Sequence, residues 1–304
     1  MAHLDVRIGS LRMANPVMLA SGMMGETCAS LQAVAKAGAG AVVTKSIGIS
    51  PRPGYPNPTL IVNEGSFLNA MGLPNPGIEE FSVEMKDIAH IHCPVIGSIF
   101  AASPEDFASL GAAMEHMGVA AVELNLSCPH AKGFGMEMGT DPEMVRSIVQ
   151  ATKAAVSIPV FAKLTPNTHR LVEVAQGAEA GGCDAIVAIN TVKGMRISIE
   201  AKRPILSNKQ GGLSGPAVLP VGIRCVYDLH AALDIPIIGV GGITTGRDAV
   251  EYIMAGASAV QVGSAIATRG LTVFSSLEQE IRHWMEELGY DAVAEMVGVA
   301  HETQ

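Results

Sequence analysis

Eight short apolar runs, rich in β-branched residues, recur along this chain and constrain its fold more than any other feature. They are residues 16–21 (PVMLAS), 41–46 (AVVTKS), 94–100 (PVIGSIF), 120–127 (AAVELNLS), 159–165 (PVFAKLT), 185–191 (AIVAINT), 236–242 (PIIGVGG) and 259–265 (AVQVGSA). Runs of this kind suit strands buried on both faces, as in parallel sheets. Segments with helical spacing lie between most of them, over 28–39, 103–118, 141–156, 169–182 and 245–257. Three open on a cap-like residue: Ser103 before Pro104, Asp141 before Pro142 and Thr245 before Gly246. Eight strand–helix units predict an α/β chain closed into a (β/α)8 TIM barrel, with an open doubly wound sheet as the alternative.

The 304 residues exceed the common single-domain size, but barrels of this class often reach such lengths as one domain, so one domain over 1–304 is expected. Apolar residues make up 48% of the chain, with 33 glycines and 16% charged residues, which suits buried strands joined by tight turns. The formal net charge of −9, without a long Lys/Arg cluster, argues against nucleic acid and anionic membrane as partners. Five scattered cysteines (Cys28, Cys93, Cys128, Cys183, Cys225) form no CxxC pair and show no metal-ligand spacing, so no metal site is expected. No apolar run approaches the ~20 residues that span a bilayer, and the N-terminus lacks the pattern of a signal peptide. A cytoplasmic protein with reduced thiols is expected.

Residues 4–16, alternating around Gly9-Ser10, predict a hairpin that caps the barrel bottom, and residues 275–298 predict a helical tail on its outside. Two connections, 47–93 and 192–220, are too long to be turns; each follows a strand at the catalytic face, where long loops are usually functional.

The strand ends carry the chemistry. The last two strands finish in Gly241-Gly242 and Gly263-Ser264, where glycine lets backbone N–H groups approach a phosphate closely. Around the same rim fall Ser21, Lys45, Ser46, Asn125, Cys128, Lys163, Asn190 and Thr191. Lys45 and Lys163 each emerge from an apolar strand, so their ammonium groups are expected to converge on an anion in a partly dry cavity. Cys128 alone among the cysteines directly follows such a strand, which suggests a proton-transfer group. Residues 131–141, with three glycines, suit a lid over it.

The motifs NLSCP (125–129), KSI (45–47), NAMGLPNPG (69–77), KLTPN (163–167), INTVKGMRI (189–197), GGLSGP (211–216), GVGGI (239–243) and VQVGSA (260–265) occur in order through nearly the whole chain. Together they resemble the class 1 dihydroorotate dehydrogenases. PRPGYPNP (51–58) and KGMRISIEAKRPILSN (193–208) are similar to the catalytic subunit of subclass 1B. The resemblance implies oxidation of dihydroorotate to orotate in pyrimidine biosynthesis. It implies FMN in this chain, held by Ser21, Lys45, Ser46, Asn125, Lys163, Ile189, Gly215, Gly241, Gly242, Gly263 and Ser264. Dihydroorotate would be held by Lys45, Asn69, Ala70, Met71, Gly72, Leu73, Asn125, Asn190 and Thr191. Cys128 would be the base that takes a proton from C5 while hydride leaves C6, with Lys45 beside it as a second catalytic residue. A partner subunit with FAD and a 2Fe–2S cluster would pass the electrons to NAD, in a heterotetramer built on a homodimer of barrels.

Two positions depart from the family pattern: Ser98 stands where Asn usually touches the flavin, and His130 where Asn is common. The residues themselves leave other readings open. The same reaction could use fumarate or another acceptor without a partner, since this chain has neither a cysteine array for an iron–sulfur cluster nor a GxGxxG fingerprint. The glycine pairs alone would also serve a flavin-free sugar-phosphate isomerase or lyase, or a non-catalytic metabolite-binding barrel.

Overall fold

The computed structural model describes residues 2–63, 65–127 and 138–301. The chain opens with an antiparallel hairpin, β1 (Val6–Ile8) and β2 (Leu11–Met13), followed by β3 (Val17–Leu19), α1 (Cys28–Lys36) and β4 (Ala41–Val43). The first long connection holds β5 (Leu60–Asn63), β6 (Ser66–Asn69) and α2 (Ile78–Glu84). Then come β7 (Val95–Ile99), α3 (Pro104–His116), β8 (Ala121–Asn125), α4 (Pro142–Ala155), β9 (Val160–Leu164), α5 (Leu171–Ala180) and β10 (Ala185–Ala188). The second connection holds β11 (Val192–Gly194), β12 (Ile197–Ser198), β13 (Arg203–Pro204) and β14 (Gly211–Ser214). The chain finishes with α6 (Leu219–His230), β15 (Ile237–Val240), α7 (Gly246–Met254), β16 (Ala257–Val262), α8 (Ile266–Arg269) and α9 (Val273–Leu288).

All eight apolar runs become strands of one closed parallel barrel, in the order β10-β15-β16-β3-β4-β7-β8-β9. The three expected caps form: Ser103 accepts from Asp106 N, Asp141 from Glu143 N, and Thr245 from Asp248 N in a capping box. Each satisfies backbone donors that a helix start would otherwise leave without partners. Two apolar layers result. The larger lies between strands and helices, and the smaller fills the barrel, where Met18, Ile96, Phe161, Val187 and Ile238 pack together. The hairpin plugs the lower end, as its pattern predicts, by adding Ile8, Leu11 and Met13 to the inner layer.

The two long connections carry more structure than their sequences announce. β5, β6, β11 and β14 pair into a four-stranded antiparallel sheet in the order β11-β14-β6-β5, with Leu68 opposite Leu213. The second connection is also shorter than expected, because Leu219 and Pro220 already open α6. The helical tail likewise stops early: Gly289, in the left-handed conformation, ends α9, and only short 3-10 turns follow. No helix among the described residues is long and apolar enough to cross a membrane.

Candidate active site

A cavity of about 750 Å³ opens at the carboxyl ends of the barrel strands, between the barrel rim and the antiparallel sheet. That is within the usual size of a small-molecule site. Ser21, Lys45, Ser46, Asn125, Lys163, Ile189, Asn190, Thr191, Gly215, Gly241, Gly242, Gly263 and Ser264 all line it, and Asn69, Ala70, Met71, Gly72 and Leu73 approach from the sheet side. The one site candidate missing from this set is Cys128, which lies outside the described residues, as do His130 and the larger part of the expected lid, residues 131–137. The end of that segment, Met138–Thr140, is a 3-10 turn leading into the cap of α4.

The amides form a connected chain. Ser46 and Ser98 share a hydrogen bond of 2.9 Å between their hydroxyls, and Asn125 Nδ2 donates to Ser46 Oγ at 3.1 Å. Asn190 Nδ2 donates to Ser127 Oγ at 2.9 Å and to Asn125 Oδ1 at 3.3 Å, while Asn190 Oδ1 accepts from Thr191 N at 2.8 Å. Side chains held this way keep their donors and acceptors pointed in set directions. Ser98 is wholly buried and does not line the cavity; its hydroxyl is bonded to that of Ser46, which does. Across the cavity, Asn69 Nδ2 reaches Gly212 O at 3.4 Å, so β14 steadies the tip of β6.

The two lysines reach the cavity, but neither is a bare cation. Lys45 Nζ lies 3.0 Å from Glu26 Oε1, a carboxylate that is itself 69% exposed. Lys163 Nζ lies 3.3 Å from Glu123 Oε1, inside the barrel, and also contacts Gln261 Oε1 at 3.0 Å and Ser21 Oγ at 3.2 Å. Both ammonium groups line the same cavity, and each also has a carboxylate partner, because a buried charge without one is too costly. Glu123 and Gln261 were missed in the sequence. Their signal is a polar residue flanked on both sides by apolar ones inside a strand, in VEL and VQV.

The glycine pairs build the other end of the site. Gly241 (φ +131°) and Gly242 (φ +78°) both adopt backbone that a side chain strains. A Cβ on Gly242 would lie 2.7 Å from Leu219 N and 2.9 Å from its Cα. The turn is held from behind, where Tyr252 donates its hydroxyl to Gly241 O at 2.8 Å and Asp248 accepts from Thr244 N and Thr245 N. Among the described residues, the N–H groups of Gly242, Gly263 and Ser264 donate to no protein acceptor. Donors without protein partners, beside a Cβ-free wall, suit a phosphate.

The remaining cysteines fit a structural role, since none lines the cavity. Burial pushes the Cys93 thiol up to about 11 and the Cys183 thiol up to about 12. Among the described residues no cluster of His, Cys, Asp or Glu could hold a metal ion.

A closed parallel barrel with a glycine-walled cradle after its last two strands, and a row of oriented amides opposite, has the architecture of a (β/α)8 enzyme. The chain belongs to the dihydroorotate dehydrogenase family, whose model matches residues 3–285. It is 50% identical over 303 residues to the dihydroorotate dehydrogenase B (NAD(+)) catalytic subunit of Methanocaldococcus jannaschii, covering 98% of each chain. The proteins of the same description from Methanocella arvoryzae (51% over 293 residues, 96% of each chain) and Pyrococcus furiosus (50% over 301 residues, 98% of each chain) are similar to the same degree. Membership in a family of oxidoreductases sets aside the isomerase, lyase and non-catalytic alternatives.

Proposed function

We propose that the whole chain acts as one catalytic domain that oxidises dihydroorotate to orotate with FMN as its resident cofactor, and that the electrons leave for NAD through a separate subunit. The observation that carries this reading is that one cavity collects every described candidate for both ligands. The residues present fit FMN: unpartnered N–H groups at Gly242, Gly263 and Ser264 suit its phosphate, and Ser46 and Asn125 offer polar contacts to a ring system, with the Lys163 ammonium beside them as a nearby positive charge. FMN, when bound, supplies the hydride acceptor.

The chain's own residues bind, orient and deprotonate. Asn69, Asn125, Asn190 and Thr191 supply the paired donors and acceptors that a urea-like ring with a carboxylate requires, and Lys45 supplies positive charge for the carboxylate. For Lys45 to do so, its ammonium exchanges Glu26 for the substrate, an inexpensive exchange because Glu26 is exposed. Cys128, at the end of the same chain segment as Asn125 and Ser127, is the group we assign to take the proton from C5. Substrate oxidation then releases one hydride and one proton, which balances the formation of the double bond in orotate.

The relatives' description as NAD(+)-type catalytic subunits supports a separate partner subunit; to it we assign FAD and a 2Fe–2S cluster, in a cytoplasmic complex built on two barrels. Purified protein supplied with FMN should turn yellow, and dihydroorotate should bleach it anaerobically with one orotate formed per flavin. Protein that stays colourless overturns the reading. NAD reduction should require the copurified partner; NAD reduction by this chain alone would remove the partner from the scheme.

A further inference from the structure

Glu123 occupies the middle of β8 with no exposed surface, and it points into the barrel between the apolar filling below and the cavity above. It does not itself line the cavity. Its two oxygens are both engaged: Oε1 lies 3.3 Å from Lys163 Nζ, and Oε2 accepts from Gln261 Nε2 at 2.7 Å. Gln261 closes the triangle, because its Oε1 lies 3.0 Å from the same Nζ. The amide is thereby oriented by charge on both sides. With Ser21 Oγ, the ammonium has three oxygen partners, as many as it has N–H donors.

Lys163 and Gln261 both line the cavity, so a ligand there meets the upper side of this unit. Its net charge is zero, whereas the lysine by itself would present a full positive charge in a dry setting, where such a charge acts strongly. We infer that Glu123 is a positioning residue that balances Lys163, so that the cavity floor presents a compensated lysine–glutamate–glutamine unit which moderates the preference for reduced over oxidised cofactor. The inference rests on the FMN reading above. Hydride transfer to the neutral oxidised ring adds two electrons and one proton, and so leaves the ring with one more negative charge. A bare ammonium would favour that product, and the carboxylate beneath it restrains the preference. A counterion with only a structural role would affect stability and leave the potential in place.

The test is the midpoint potential of bound FMN, measured by dye equilibration, with thermal stability recorded alongside. Glu123→Gln keeps the shape and removes the charge. It should raise the relative affinity for reduced over oxidised FMN about tenfold, which for a two-electron couple is about 30 mV upward. Glu123→Met removes the charge with an unbranched side chain and should move the potential in the same direction. Glu123→Asp retains the charge and should stay close to the parent protein. FMN-loaded E123Q with an unchanged or lowered potential overturns the inference. If E123Q does not fold, E123M decides: a potential that fails to rise overturns it. A parent protein that takes up no FMN would instead overturn the functional reading, so the two failures are distinguishable.

Discussion

Gly242→Ala offers the sharpest check on the phosphate cradle. Gly242 sits at φ +78°, which costs a residue with a Cβ roughly 1–2 kcal/mol. The added methyl would also press on Leu219 N and Cα, at 2.7 and 2.9 Å, where backbone cannot swing aside as a side chain could. The turn after β15 must therefore move, and its N–H moves with it. A lost hydrogen bond to a charged group is worth about 1.5–3 kcal/mol. At about 1.4 kcal/mol per factor of ten, the Kd for FMN should rise roughly ten- to a hundredfold. Apoprotein would be titrated with FMN by flavin fluorescence, in parallel with riboflavin, which lacks the phosphate. Riboflavin affinity should change little. Gly289→Ala is the control, since Gly289 has φ +80° at the end of α9 with nothing near a new Cβ. It should carry the conformational cost alone and leave FMN binding intact. Unchanged FMN affinity in Gly242→Ala, or an equal loss for riboflavin, would refute the assignment of the cradle to phosphate.

Three other outcomes are expected. Cys128→Ala should retain FMN and lose most turnover near neutral pH; steady-state rates with dihydroorotate check this, and a rate like the parent's removes Cys128 from the mechanism. Tyr252→Phe leaves the Gly241 carbonyl without its donor and should cost about 1–3 kcal/mol, read as a lower Tm, whereas an unaltered melt would show that the hydroxyl does not hold the turn. The third concerns alkaline pH. Burial raises the Cys183 thiol from an ordinary value of 9.0 to about 12, so the folded chain keeps this proton longer than the unfolded one. Its contribution to stability is complete below pH 9 and is lost as pH rises toward 12, at about 1.4 kcal/mol per pH unit. Cys183→Ala should make the urea-unfolding free energy fall less steeply over that window; an identical slope would contradict the burial effect.

The barrel was legible because its strands are buried on both faces and so appear as uninterrupted apolar runs, such as AVV at 41–43 and AIVA at 185–188. The antiparallel sheet was not, since VKG and GGLS carry neither alternation nor β-rich composition and gain strand geometry only by pairing with each other and with β6. The rim residues could be read because polar side chains at strand ends stand out against apolar runs. Glu123 could not be read as a partner of Lys163, because 40 residues separate them and only the barrel register brings β8 beside β9. Likewise Ser98 looked like a weakened flavin contact, and only its burial against Ser46 shows what it touches.

The roof of the cavity also sets an order of events in the cell. Asn69 is steadied by Gly212, which lies 143 residues further along the chain, and the barrel itself closes only when Gln261 comes to rest beside Met18. A ribosome that has synthesised two thirds of this chain has therefore made no pocket. Pairings so distant in sequence form late and slowly, because loop closure must precede any reward from contact. A ligand of this cavity thus meets a nearly complete chain, since neither pairing is possible before residues 212 and 261 have been made.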